Sequence, residues 1–222
     1  MIDLSESTPF ASGSNRHCYR HPDHPDRCLK LIRRENIEAR YQRQPAAKKL
    51  LGKQRLDDNL QELTAHLQSA IQRPLRQGKE ALVWAHLPRF FGQTVTAQGV
   101  ANESELMMAV DGRPAETFEH YLQRVGFDEL AESLVQEFTV WLRDTGILTR
   151  NLLPHNLVLG VRDNRTRLVL VDGLGAPAIP SLLSASAHWR LHYLDRRIRR
   201  FYKRIEWETS GRNQPWEQSQ RL

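Results

Sequence analysis

Thr149-Arg150-Asn151-Leu152-Leu153-Pro154-His155-Asn156 runs straight into an apolar strand, Leu157-Val158-Leu159-Gly160-Val161. A polar turn, Arg162-Asp163-Asn164-Arg165-Thr166, leads to a second apolar strand, Leu168-Val169-Leu170-Val171, which ends on Asp172-Gly173-Leu174-Gly175. The order predicted is loop, strand, turn, strand, loop. It places side-chain oxygens, from Asn156 and Asp172, at the same end of one hairpin. An Asp closing an apolar strand before glycine is well placed to hold a cation against phosphate oxygens, although it also makes an ordinary Asx turn.

Working outward from that hairpin, the preceding stretch is helical. A helix from about Asp128 to Thr145 carries Leu130, Leu134, Phe138, Trp141 and Leu142 on one face, with Gly146 as its natural stop. A shorter helix holds Phe118, Tyr121 and Leu122. Asp111-Gly112-Arg113-Pro114 is a strong breaker, and the boundary between a sheet lobe, 1–110, and a helical lobe, 111–222, is expected there. Upstream lie two predicted strands, Phe90–Thr96 and Glu105–Val110, with a polar turn at 98–102 between them. Leu60, Leu63, Leu67 and Ile71 recur at helical spacing and predict a helix over 57–71, which Asp57 or Asp58 could cap and in whose 59–71 stretch Glu62 is the one acidic residue. Residues 33–56 are polar and basic, interrupted by Pro45 and Gly52. The first 32 residues read as β-rich, with a small-residue turn at Ala11-Ser12-Gly13-Ser14 and Lys30 embedded in the strand Cys28-Leu29-Lys30-Leu31-Ile32.

Four features therefore occur in a fixed order: a small-residue turn, a strand lysine, an Arg150…Asn156 loop, and Asp172-Gly173 after the next strand. In that order the chain resembles the protein-kinase-like superfamily, whose catalytic loop reads H-R-D-L-x-x-x-N and whose metal-binding motif reads D-F-G. Arg150 matches the arginine, Leu152 the leucine, Asn156 the asparagine, and Asp172-Gly173 the Asp of D-F-G. A narrower resemblance is to the YrbL-type family of bacterial PhoP regulatory network proteins. It is carried by Leu4-Ser5-Glu6, Ala11-Ser12-Gly13, Arg16-His17-Cys18-Tyr19, Cys28-Leu29-Lys30, Ala65-His66-Leu67, Pro88-Arg89-Phe90 with Gly92, and Ile147 through Leu157, and it covers about residues 1–205.

The resemblance implies an α+β, protein-kinase-like two-lobed fold with a reduced helical second lobe and an ATP/Mg-type cleft. It implies a nucleotide-binding set of Gly13, Lys30, Glu62, Val110, Asn156 and Asp172. Lys30 would pair the phosphates of ATP, oriented by Glu62 or, one turn earlier, by Asn59. Asn156 and Asp172 would hold Mg²⁺. The departures are equally informative. The catalytic-base position holds Asn151, and an amide cannot accept the proton of a substrate hydroxyl, help that is worth about 10²–10⁴ in rate. Thr149 replaces the histidine, the phenylalanine of D-F-G is absent, and Gly13 alone remains of the glycine-rich loop. Ala176-Pro177-Ala178 follows Asp172 closely, and the remaining tail is too short for a peptide-docking subdomain. A pseudokinase or atypical phosphotransferase in a bacterial regulatory network is the leading expectation, with a nucleotide and an unidentified acceptor or protein as partners. An active kinase for a small substrate competes with it.

Composition bounds the remaining choices. The 222 residues are 40% hydrophobic and 26% charged, which excludes a disordered chain. Of 32 cationic residues 26 are Arg, against 26 acidic ones, giving a net charge of +6. A basic balance raises the prior for anionic partners without proving one. Two stretches hold the excess, 33–55 and 190–204. In the second, Leu194, Ile198, Phe201 and Ile205 form an apolar stripe beside Arg190, Arg196, Arg197, Arg199, Arg200, Lys203 and Arg204. A core-packing helix with a solvated face is the default reading. A non-enzymatic nucleic-acid or anionic-membrane contact is the alternative. Cys18 and Cys28 sit in no metal-ligating spacing and are expected reduced. The first residues carry no signal-peptide pattern and no apolar run is long enough to span a bilayer, so a cytoplasmic location is expected.

Overall fold

In a computed structural model, residues 1–13, 15–50, 52–175, 186–212 and 215–216 are described. Ser14 of the small-residue turn, the Ala176-Pro177-Ala178 segment and the last six residues lie outside that set. The fold is α+β, as expected. The chain divides into two compact units, one formed by 1–66 with 88–106 and the other by 67–87 with 107–222. Among the described residues no helix is long and apolar enough to cross a membrane.

The first unit is an antiparallel five-stranded sheet in the order β1-β2-β3-β5-β4. Its strands are β1 (Ala11–Ser12), β2 (Arg16–Arg20), β3 (Arg27–Ile32), β4 (Phe90–Thr96) and β5 (Gly99–Glu105). Strand alternation gives the sheet two unlike faces. Leu29 and Ala101 pack with Leu4, Ile2, Tyr19 and Leu31 on one side. The register sets Cys18 opposite Lys30 and Lys30 opposite Asn102, so the other face is polar. Helix α1 (Arg34–Gln42) buries no residue, and α2 (Ala46–Lys49) is a single turn.

Helix α3 (Asp58–His66) corrects the sequence reading. The predicted stripe holds only at its far end: Ile71 is fully buried, whereas Leu60 is 39% exposed and Leu67 67%. The buried residues are Asn59, Glu62, Ala65 and His66. A helix turns inward whatever face its substrate demands, and here the substrate is the polar side of a sheet. The predicted 57–71 helix is also two helices, because Gln68 is extended and caps α4 (Ser69–Arg76).

The strand expected at 105–110 is likewise displaced. Gly99, at φ 134°, follows a tight turn that lets β5 begin at once and run through Asn102, Glu103 and Ser104, all buried. The apolar run after it leaves the sheet. Met107 accepts a backbone hydrogen bond from Ala115, and Met108 bridges to Pro114.

The second unit holds α4, α5 (Glu80–Trp84), α6 (Phe118–Val125), α7 (Glu129–Thr145), the hairpin β6 (Leu157–Arg162) and β7 (Arg165–Leu170), and α8 (Ala187–Thr209). Asp128 caps α7 through the Ala131 amide, and Gly146, at φ 64°, ends it in the left-handed region that glycine tolerates. Leu134, Phe138, Trp141 and Leu142 are buried as predicted, whereas Leu130 at the first turn is exposed. Asp163 and Asn164, with φ of 52° and 58°, make the two-residue turn of the hairpin. The stripe predicted for α8 is buried throughout, at Leu194, Ile198, Phe201 and Ile205. Hydrogen bonds fix the 67–87 segment to this unit: Leu148 N donates to Gln68 Oε1 and Trp141 Nε1 to Leu82 O, His86 Nδ1 meets Leu168 O at 2.7 Å, Leu170 N donates to His86 O, and Arg162 Nη2 donates to Leu87 O.

Candidate functional site

Two groups of polar residues stand out, one in each unit. In the first, Lys30 stands on the polar face of β3, in the middle of the sheet, and Glu62 reaches it from α3. Lys30 Nζ donates to Glu62 Oε1 at 2.5 Å, with both side chains buried. The other carboxylate oxygen is taken by two donors: Arg16 Nη1 at 2.6 Å and Asn102 Nδ2 at 3.0 Å. Asn59 completes the frame, its Nδ2 donating to Lys30 O and its Oδ1 accepting from Arg16 at 3.4 Å. Burial by itself would push the Glu62 carboxyl up. The charges of Lys30 and Arg16, with hydrogen bonds from Lys30 and Asn102, overcome that and hold it well below the ordinary carboxylate range.

His66, one turn along α3, stacks on Phe90 with centroids 4.2 Å apart. Burial lowers its pKa to about 4, with Lys30 adding to the shift and Glu62 opposing it, so the ring is neutral at pH 7. The Cys28 thiol is pushed well up by its hydrogen bond with Cys18 and by burial, and both cysteines are free thiols.

The second group is built on backbone. Gly173 O accepts from Arg150 N at 2.8 Å, from Asn151 N at 3.3 Å and from the Thr149 hydroxyl at 2.8 Å. Thr149, at the position where the kinase loop has histidine, thus ties the loop to the Asp172-Gly173 turn. Its own carbonyl accepts from Tyr193 OH of α8 at 3.0 Å, and Arg197 Nε donates to that hydroxyl. Asn156 Nδ2 donates to Asn151 O at 2.8 Å, which leaves Oδ1 as the atom of that amide able to face a cation. Asp172 Oδ1 accepts from Gly173 N at 2.6 Å. Gly173 is required here, at φ 81°, because a Cβ would sit 2.5 Å from Asn151 O and 3.0 Å from Asn156 Nδ2.

The donor chemistry of this second group suits Mg²⁺. Among the described residues no cluster of three His, Cys, Asp or Glu side chains could hold a metal alone. Mg²⁺ asks for less, since one or two protein oxygens suffice when phosphate and water fill the rest. Asn156 and Asp172 offer one amide and one carboxylate oxygen donor of that kind.

Of the residues singled out in the sequence, Lys30 and Glu62 meet directly, and Asn151, Asn156 and Asp172 share one loop system. Gly13 lies after β1, its amide donating to Arg16 O at 2.9 Å. Val110 stands 85% exposed in a turn after the sheet, outside both groups. Arg16 and Asn102 were not anticipated. Strand pairing was the signal that could have found them: once Cys18 is set opposite Lys30, Arg16 falls on the lysine's face of the sheet.

Comparison with known proteins adds the family context. The family described as PhoP regulatory network protein YrbL matches residues 2–209. The chain is 26% identical over 209 residues to the protein called uncharacterized protein YrbL of Escherichia coli (strain K12), covering 92% of this chain and 86% of the relative. The Shigella flexneri protein of the same name gives the same figures. Among solved structures, a cysteine-to-alanine mutant of the Mycobacterium tuberculosis PknI kinase domain is similar at a TM-score of 0.40 and 15% identity, over 84% of this chain and 68% of that one. A double mutant of the same domain gives 0.42 and 14%, over 86% and 70%.

Proposed function

This chain belongs to the family of PhoP regulatory network protein YrbL, and from that premise we propose that it is a kinase-type nucleotide binder with little or no phosphoryl-transfer activity, acting within a bacterial regulatory network. The observation that carries the reading is the buried Lys30–Glu62 pair at 2.5 Å. A buried charge pair is seldom the cheapest way to stabilise a core, because desolvation offsets much of the attraction. Its retention on the strand and helix where a kinase-like chain would pair its phosphate-binding lysine favours a binding role.

In this reading Lys30 pairs phosphate oxygens of ATP, and Glu62 sets its direction. Asn156 and Asp172 hold Mg²⁺, which neutralises phosphate charge when bound. Asn151 stands where a base would be and is exposed; its amide can orient a hydroxyl but takes no proton. Binding and positioning are thus retained, and the proton-accepting role is lost.

Calorimetry with Mg·ATP, beside an ATP hydrolysis assay, tests this. Binding that vanishes in Asp172→Ala, with negligible turnover, is the expected result. Turnover that Lys30→Ala or Asp172→Ala abolishes would make the chain an active small-substrate kinase instead. No nucleotide binding by the intact chain would overturn both.

The basic helix gives the nucleic-acid and membrane alternative less support. Its apolar stripe is buried, Arg197 is held by Tyr193, and Arg204 pairs with Glu208 at 2.8 Å. Salt-dependent DNA binding that drops when Arg196, Arg199 and Arg200 are neutralised would revive it.

A further inference from the structure

We propose that Arg16 is a positioning residue for the Lys30 centre: it secures Glu62 through the carboxylate oxygen that Lys30 does not use, so that Lys30 can turn to a polyphosphate while Glu62 stays where it is. The inference rests on the nucleotide reading above and adds a residue that the kinase-loop motifs do not include.

The division of labour on the carboxylate is the starting point. Oε1 accepts from Lys30, whereas Oε2 accepts from Arg16 and Asn102. A lysine serving both a carboxylate and a ligand must loosen one to engage the other. With a single cation on Glu62, drawing Lys30 toward phosphate would leave a buried carboxylate held by the neutral amide of Asn102. Such a group takes up a proton or moves. Arg16 removes that difficulty. Its guanidinium is always charged, and the same Nη1 that donates to Glu62 also reaches Asn59 Oδ1 at 3.4 Å, on the helix that carries Glu62. Arg16 is itself buried on β2, on the lysine's side of the sheet.

The other titratable groups near Glu62 do not substitute for it. His66, on Glu62's own helix, is neutral because it is buried. Cys28, on β3, is held protonated by Cys18 and burial. Cys18, on β2, contributes no cation. Arg16 is therefore the charge that remains on Glu62 when Lys30 engages a ligand.

Side-chain carboxyl NMR of Glu62 in the ligand-free full chain, from pH 4 to 8, reads this directly. In Lys30→Met the carboxyl is expected to stay ionised to the bottom of the range. In Lys30→Met with Arg16→Gln it is expected to titrate inside the range, and Arg16→Lys in place of Arg16→Gln is expected to restore most of the difference. Equal titration of Glu62 in Lys30→Met and in the double variant would overturn the proposal. Should the double variant fail to fold, Arg16→Gln alone decides. Its Mg·ATP affinity should fall about tenfold, the loss expected of one charge-assisted hydrogen bond, with the acid limb of binding moved upward and Arg16→Lys recovering part of both. Wild-type affinity with an unmoved acid limb overturns the proposal. A wild-type chain that takes up no Mg·ATP overturns the nucleotide reading, and the release of Lys30 with it. The Glu62 titration then still separates that failure from a failure of Arg16 to hold the carboxylate.

Discussion

The lysine centre and the asparagine loop are built from opposite materials. Around Lys30 the contacts are between charged side chains, all buried, on one strand pair and one helix. Around Asn151 they are almost all backbone, with Gly173 O accepting three hydrogen bonds and the carboxylate of a catalytic base missing. Charged side chains make the first region sensitive to removal of any member, because the partner is left uncompensated. Backbone makes the second tolerant of side-chain change at residue 151, the position at which the proposed reading departs from an active kinase. The difference teaches where a side chain can change without disturbing the fold: at the exposed amide of residue 151, not at the buried pair.

The strongest way to break this contrast is Glu62→Ala. It leaves Lys30 and Arg16 facing each other in a buried setting, and a loss of about 3–5 kcal/mol in denaturant-monitored stability is expected. A loss under about 1 kcal/mol, the range of surface pairs, would mean the centre is solvated and the contrast false.

His66 sharpens the same side. Its folded pKa, near 4, lies below the ordinary value of 6.5, so in that window the unfolded chain binds a proton that the folded chain does not. Stability is full above about pH 6.5 and falls as pH drops toward 4, by about 3 kcal/mol in total. In His66→Phe, which keeps a ring against Phe90, that portion of the pH slope should disappear. An unchanged slope in equilibrium unfolding would place the acid sensitivity elsewhere.

On the loop side, Asn151→Asp restores a proton acceptor. ATP hydrolysis or transfer to water is expected to rise about 10²-fold or more, with stability unchanged. If the rate stays flat while Mg·ATP still binds, the deficit lies beyond residue 151. Gly173→Ala has the smallest expected effect, about 2 kcal/mol, since the backbone must leave φ 81° and a Cβ must clear Asn151 O. Its affinity for Mg·ATP should fall more than its stability.

Much of this was legible from residue order. The loop ending in Asn156, the hairpin after it, the Asp172-Gly173 turn and the buried stripe of α8 follow from spacing and apolar periodicity. The pairing of Lys30 with Glu62 was expected only from the kinase-like resemblance, since nothing in the composition of α3 pointed inward. The helix hides that fact because its leucines advertise the wrong face: hydrophobic periodicity locates a buried side only where the neighbour is apolar, and β3 and β5 present Lys30 and Asn102 instead. Strand β5 was misplaced for the same reason. Its buried residues are Ala101, Asn102, Glu103 and Ser104, of which the first two fell in the expected turn. Arg16 and Asn102 could not be found without strand register, which no single strand contains.

The interleaving of the two units has a consequence for how the chain comes off the ribosome. Residues 67–87 emerge between β3 and β4, yet His86 must wait for Leu168, 82 residues later, before its ring nitrogen is satisfied. The sheet, too, is incomplete until β5 arrives beside β3, so Lys30 and Glu62 spend the synthesis of some 40 further residues without Asn102. Nascent chains commonly settle one unit at a time from the N-terminus. This one must carry 67–87 without the Leu168 and Leu170 partners of His86 while its first sheet closes.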